Sequence, residues 1–548
     1  MKIRMRGVFA PKILIPLLAV GAVGVGTVGV ISLLARSGEA ATGMIPADAV
    51  VAVTFDNTPS ASQVRLFNEI KAAMQDSGMS DYVDDFLNEL DPKTGAFKQL
   101  RSHVRGSFAM GLWGAIQSEK PDMMVAVALI DPAGAETIVS KLAPLTVEAG
   151  LKVYKPKEAP MVISFHEDYA IFATSAATAG RAISVAKGES PNLKDDPEFH
   201  RAREALPSDA SLMYFINGQA IAKADPKIKR LYASMGVTEY GWMAGGVTLR
   251  DEGVQIDGFQ PMQAHGEFGK IMSTMKPLGY SSLGRLPAGA IGIAGLSNPG
   301  GLVEMFEKVT SAMPEDAPEM QKGIAEMEKE TGTSFEKDWM PALRGEVYVA
   351  LYPPSGDAKE PGVIVSVDNG NGGTATALVK KLIEKANAGE FDSREKVRFT
   401  EEQRGDISVY IPSNGQDQAF LGVSGEQAML FTQPQLLEKA TRPSSSLPDS
   451  EGLKTFTQDD PSQFQLQLDL YGLVDMLTRM GQAPKDMDLK QVLSSRSLTI
   501  TAKWDGAASR MQMLIPIDIP ELIRVIGKEA KKSRPPQGAG SDGGLDFE

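Results

Sequence analysis

Four histidines offer the first prospect of base or metal chemistry: His103, His166, His200 and His265. No pair has the HxH, HxxxH or HExxH spacing that sets two imidazoles on one strand or helix face, so a metal site would need a chance meeting in three dimensions. His103 and His166, beside strand signals, read as satisfied or exposed side chains. Serine nucleophiles fare no better. Gly422-Val423-Ser424-Gly425 lacks the closing spacing of GxSxG, and no histidine follows it, whereas that hydrolase order needs one. Ser184-Val185-Ala186-Lys187 and Ser334-Phe335-Glu336-Lys337 fit SxxK but lack convincing SDN and KTG companions. The carboxylate doublets are Asp84-Asp85, Asp195-Asp196 and Asp459-Asp460. Adjacent residues on a helix do not face each other, and the last two doublets precede proline, which is the arrangement of a helix cap. Asp368-Asn369-Gly370-Asn371-Gly372-Gly373 lacks the acidic pattern of a calcium loop and reads as a strand-to-helix turn. With no cysteine at all, disulfides, thiol catalysis, iron–sulfur clusters and lipoprotein acylation are excluded. The expectation is a non-catalytic protein with no catalytic, cofactor-binding or metal-ligating residue to assign.

Methionine is the remaining chemical signal. The chain has 26, with groups at Met110, Met123 and Met124 and at Met305, Met313, Met320 and Met327. Flexible thioethers fill core gaps and also line adaptable apolar sites. Core filling is the plainer reading, and a hydrophobic-ligand site is its alternative.

The elements around these residues begin with a membrane signal. Ile13 to Ala35 carries no charge, and as a helix it would span about 34 Å, enough for a hydrocarbon core of about 30 Å. Lys2, Arg4, Arg6 and Lys12 precede it, so the basic excess places residues 1–12 in the cytoplasm and everything after Arg36 outside. A cleaved signal peptide is the competing reading, because Gly38 and Ala40 are spaced for cleavage after Ala40. The apolar run is, however, longer than the 7–15 residues usual for a signal. Gly24-Val25-Gly26-Thr27-Val28-Gly29 matches the dinucleotide string but lies inside this run, without the preceding strand that motif needs. Lys plus Arg number 56 against 69 acids, a net charge of −13, which gives no field to attract nucleic acid.

Beyond the anchor, the chain resembles itself. Ile45-Pro46-Ala47-Asp48-Ala49 before Val50–Val53 recurs as Leu286-Pro287-Ala288-Gly289-Ala290 before Ile291–Ala294, and Leu206-Pro207-Ser208-Asp209-Ala210 is a third copy of the opening. Arg105–Trp113 aligns without a gap on Arg344–Tyr352, Met124–Leu129 corresponds to Val363–Val367, and Asp168–Thr174 corresponds to Glu426–Thr432. Colinear matches of this kind indicate two homologous halves, 44–262 and 284–517, joined by a linker at 263–283. Short β-rich runs in close succession, alternating with amphipathic helical patterns, predict an α+β fold of mainly antiparallel sheet with packed helices in each half. A C-terminal helix over 518–532 and a disordered tail over 533–548 complete the expected organisation.

The membrane-spanning N-terminus, the repeated Pro-containing openings and the Arg-Gly-plus-strand elements at Arg105–Trp113 and Arg344–Tyr352 resemble the bacterial DUF3352 proteins. That resemblance implies an envelope protein without an assigned activity, and it carries over no functional residue. The expected function is a membrane-anchored extracytoplasmic binding or scaffolding protein. It would hold the membrane through residues 13–35 and contact an envelope protein partner or a hydrophobic ligand. A periplasmic carrier of lipid and a carboxylate-dependent hydrolase are the alternatives.

Overall fold

The protein is described from a computed structural model. It describes residues 39–533 except for 56–59, 80–98, 101, 115–120, 149, 157–160, 225–228, 231–232, 234–240, 262–266, 313–316, 356–359, 369–372, 391–396, 414–418, 442–445, 448–452, 454–455, 457–460 and 483–489. The apolar run 13–35, Asp84-Asp85, His265, Asp459-Asp460 and the tail 534–548 lie outside the described residues. Among the described residues, no helix is long and apolar enough to cross a membrane.

Runs rich in Val, Ile, Phe and Tyr form the strands, as their preference for a pleated surface dictates. The first ten are β1 Val51–Phe55, β2 Val104–Trp113, β3 Asp122–Leu129, β4 Leu145–Glu148, β5 Leu151–Tyr154, β6 Val162–His166, β7 Tyr169–Ala173, β8 Leu212–Asn217, β9 Trp242–Arg250 and β10 Gly253–Pro261. The second ten are β11 Gly292–Ser297, β12 Glu346–Tyr352, β13 Gly362–Asp368, β14 Phe399–Arg404, β15 Ile407–Pro412, β16 Phe420–Ser424, β17 Gln427–Phe431, β18 Phe464–Asp469, β19 Ser497–Trp504 and β20 Ala508–Ile515. All belong to a single 20-stranded sheet. Among the described residues every pairing is antiparallel, and in space the strands run β4-β5-β6-β7-β3-β2-β1-β8-β9-β10, then β20-β19-β18-β11-β12-β13-β17-β16-β15-β14. The order is therefore a palindrome about the β10–β20 seam. The chain is α+β with a mainly antiparallel sheet.

The registers follow the sequence matches closely. Val51 faces Leu112 as Gly292 faces Leu351, and Met124 faces Ala173 as Ile364 faces Phe431. One detail differs from the expected alignment. Leu112 faces Met123 and Leu351 faces Val363, so Met123, not Met124, is the counterpart of Val363. Two apolar residues in a row made the two alignments indistinguishable by type.

The two-residue turns are equally matched. Gly425 turns from β16 to β17 at φ 57°, and Glu167 takes φ 48° at the corresponding turn from β6 to β7. The left-handed conformation needed by such hairpins is natural for glycine and costly for glutamate.

The Pro-containing openings explain themselves as wedges. Ile45 is fully buried and its carbonyl accepts the Leu193 N–H at 2.8 Å, while Leu286 is fully buried and its carbonyl accepts the Leu447 N–H at 2.7 Å. Each wedge enters a core on the same side of the sheet. The first core holds Trp113, Phe215 and Ile171, and the second holds Tyr348, Tyr352 and Phe431. The stretch 263–283, read above as a linker, carries the helix Glu267–Ser273 and commits Leu278, Tyr280 and Leu283 to the second core. The C-terminal helix runs Ile519–Ser533 and packs against Ala61–Ser77 from the other end of the chain, where Leu66, Phe67 and Ile70 meet Ile517, Ile519 and Ile523.

Candidate functional site

Several of the described residues singled out for chemistry have a local structural partner. His103 lies 3.2 Å from Asp131, but Asp131 is the cap of helix Pro132–Leu142, accepting the Gly134 N–H. His166 ends β6, and His200 is exposed on the helix Pro197–Glu204. Asp196 caps that helix by accepting the Glu198 and Phe199 N–H groups, with Pro197 at its first position. Ser184 bonds Glu189 rather than Lys187, and Ser334 accepts the Lys337 N–H as a cap. Ser424 joins Asp406 at 3.0 Å and Arg285 at 2.6 Å. The Arg285 guanidinium and the Ser424 hydroxyl hold the Asp406 carboxyl below the usual carboxylate range, which pins the β14–β15 turn to the loop before β11.

Acids converge at one place on the helix Pro299–Ala312. Burial, and then Glu304 and Glu336 nearby, push the Glu307 carboxyl up, while Glu304 is paired with Arg344 at 2.8 Å. No group of His, Asp and Glu able to hold a metal ion occurs among the described residues. A recess of about 300 Å³ lies between Glu148 and Lys155 on one side and Thr174 and Ser175 on the other. Lys155 and Glu148 in its lining form an ion pair.

The arrangement with the greatest reach is a face of the sheet. Residues directly opposite one another on neighbouring strands share a face. In register across twelve strands from β3 to β13 stand Val125, Met110, Val53, Tyr214, Gly245, Gly258, Met511, Ala502, Phe464, Leu296, Val347 and Val367. The next row on the same face runs from Phe108 through Phe55, Leu212, Val247, Ile256, Met513, Ile500, Leu466, Ala294 and Val349 to Val365. Neither row contains a charge. Burial pushes the Tyr214 phenol up, so that hydroxyl stays neutral at physiological pH.

This face is the reverse of the one carrying the two cores. It is covered toward one end by the helices Ala61–Ser77 and Ile519–Ser533 and toward the other by Leu470–Arg479, which packs on Leu351 and Val363. Between those covers the rows are mostly half-buried. Val349 and Met511 are each 41% exposed, and Met243, two residues along β9 from Gly245, is 38% exposed. Five methionines, Met110, Met123, Met243, Met511 and Met513, stand on it, whereas Met124, Met429 and Met476 are buried core. Methionine therefore fills core at some positions and stands on the half-open face at others.

Sequence reasoning singled out Met110 and Met123 and missed the other three. Met243 and Met511 sit in the short strand pairs that close each half, and nothing in their spacing says which face they occupy.

No curated protein matches this chain. Two solved structures show a weak likeness. Crystal form I of TP0453 has 11% identity and a TM-score of 0.23, covering 40% of this chain and 78% of that one. Crystal form III of TP0453 has 12% identity with the same TM-score and the same coverage. The model of the family described as "Protein of unknown function (DUF3352)" matches residues 13–516, nearly the whole length, and the chain belongs to that family.

Proposed function

We propose that this chain is a non-catalytic, membrane-anchored extracytoplasmic protein of the bacterial envelope that binds or scaffolds a partner through its uncharged sheet face. The observation that carries the reading is the pair of in-register rows that cross the β10–β20 seam from one set of ten strands into the other. A contiguous half-open apolar surface of this kind supports a place of interaction. The palindromic strand order and equal registers support descent of the two halves from a duplicated unit, and the seam makes their two faces continuous. The charge-free run 13–35 behind a basic N-terminus supports anchoring.

Photo-crosslinking in intact cells tests the contact surface. A photoreactive residue at Met243 or Met511 should give one reproducible protein adduct, absent from the same residue at Glu402 on β14. Equal labelling at all three positions, or none, removes the proposal.

The methionines favour a second reading, in which the occupant of this face is a lipid or another hydrophobic molecule. Thioether chains adapt to varied apolar shapes. A fluorescent fatty acid titrated onto the full chain in detergent should bind, and Met511→Glu should weaken that binding at least tenfold. Unchanged binding in the variant excludes the face as the ligand site.

A further inference from the structure

We propose that the apolar segment 13–35 stays on the finished chain, and that it keeps the first ten strands close against the bilayer. This rests on the membrane reading above and specifies how the lipid surface is met.

The small residues Gly38 and Ala40 mark Ala40–Ala41 as the bond a signal-removing protease would cut. In the folded protein that bond lies within the helix Glu39–Thr42. Ala41 has no exposed surface, and Thr42, Met44 and Ile45 after it are 3%, 3% and 0% exposed. A product beginning at Ala41 would place a new ammonium group in the core that also contains Leu193, Phe215 and Trp113. Burying an unpaired charge there opposes folding.

Residues 45–47 are also locked in place. Ala47 donates its N–H to the Pro191 carbonyl at 3.1 Å, Leu193 donates to Ile45, and Ile45 packs on Gly111, where a Cβ would come within 3.0 Å of its side chain. The matching wedge at Leu286 likewise has buried chain before it, at Leu278, Tyr280 and Leu283. Upstream residues are thus part of each core. From Arg36 to Ala41 the chain can reach about 17 Å fully extended, too little for the body to swing free of the membrane surface.

Two measurements on the full chain test this. Intact mass and alkaline extraction of a C-terminally tagged protein, expressed in a bacterium with two membranes, should show all 548 residues retained in the membrane. Because the chain has no cysteine, Lys194→Cys and Glu402→Cys can each be labelled singly. In phosphatidylethanolamine–phosphatidylglycerol vesicles with a headgroup quencher, the label at 194, beside Leu193, should be quenched severalfold more than the label at 402 on β14. A chain beginning at Ala41 overturns the retention while leaving the extracytoplasmic reading intact. Equal quenching overturns the seating alone. A full-length chain released by alkali overturns the membrane reading itself.

Discussion

At the scale of residues, the apolar face depends on close fits that a single atom can spoil. A Cβ at Gly245 would fall 2.2 Å from the Tyr214 ring, which lies over that glycine. Gly245→Ala should therefore cost about 1–3 kcal/mol, the usual penalty of overpacking. Urea unfolding measures it, and an unchanged midpoint would show that the ring is not held there. A second residue sets part of the pH response. The Lys381 ammonium, at 2.6 and 2.7 Å, and the Ser334 N–H hold the Asp338 carboxyl below its ordinary value. A depressed carboxylate contributes stability that is complete above the unfolded pKa near 4 and is lost as the pH falls through the lower folded value. Asp338→Asn should flatten the stability profile below about pH 4, as read from urea midpoints between acid and neutral pH.

Elements show how the ends of the chain and of the sheet are managed. Gly527 lets the helix Ile519–Ser533 approach Ala61–Ser77, since a Cβ there would meet Ser77 at 2.4 Å. Gly527→Leu should prise the two helices apart and lower Tm by several degrees, at about 2–4 °C per kcal/mol for chains of 150–250 residues and less for longer ones. An unaltered thermal midpoint would mean that this contact adds nothing. The two edge strands differ. On β14, Glu401, Glu402 and Arg404 guard the edge, while β4 presents Leu145 and Val147 at 50% and 69% exposure. Charged side chains discourage edge-to-edge pairing. Val147→Lys should thus reduce self-association at high concentration without shifting Tm, which light scattering checks directly.

For the whole molecule, the seam makes two matched arrays into one sheet. Val254 faces Ile515 and Gly258 faces Met511, while Gln512 reaches Asp257 across the joint at 3.2 Å. A core built from Leu66 and Phe67 together with Ile517 and Ile523 ties the C-terminal helix to the first strands. Such coupling predicts one cooperative unfolding transition. The four tryptophans report it conveniently, with Trp113 and Trp242 among the first ten strands and Trp339 and Trp504 in the second part. Variants retaining either pair should show coincident urea curves. Two separated midpoints would establish that the arrays unfold independently.

Much of this was legible in the linear chain. Strand and helix types, the Pro-containing openings, the Asp196-Pro197 cap and the matched segments all rest on local rules of period, capping and turn chemistry, which need only neighbouring residues. The apolar face was not legible. β2, β8 and β12 are apolar on both sides, a pattern that usually marks strands buried on both faces, and only the packing shows that one side is sealed by cores while the other is left half-open. Nor could spacing reveal that β10 pairs with β20 or that the last helix folds back onto Ala61–Ser77. Those contacts join residues some 255 to 450 positions apart, and apolar side chains attract without direction, so partner and face are settled only when the whole chain has packed.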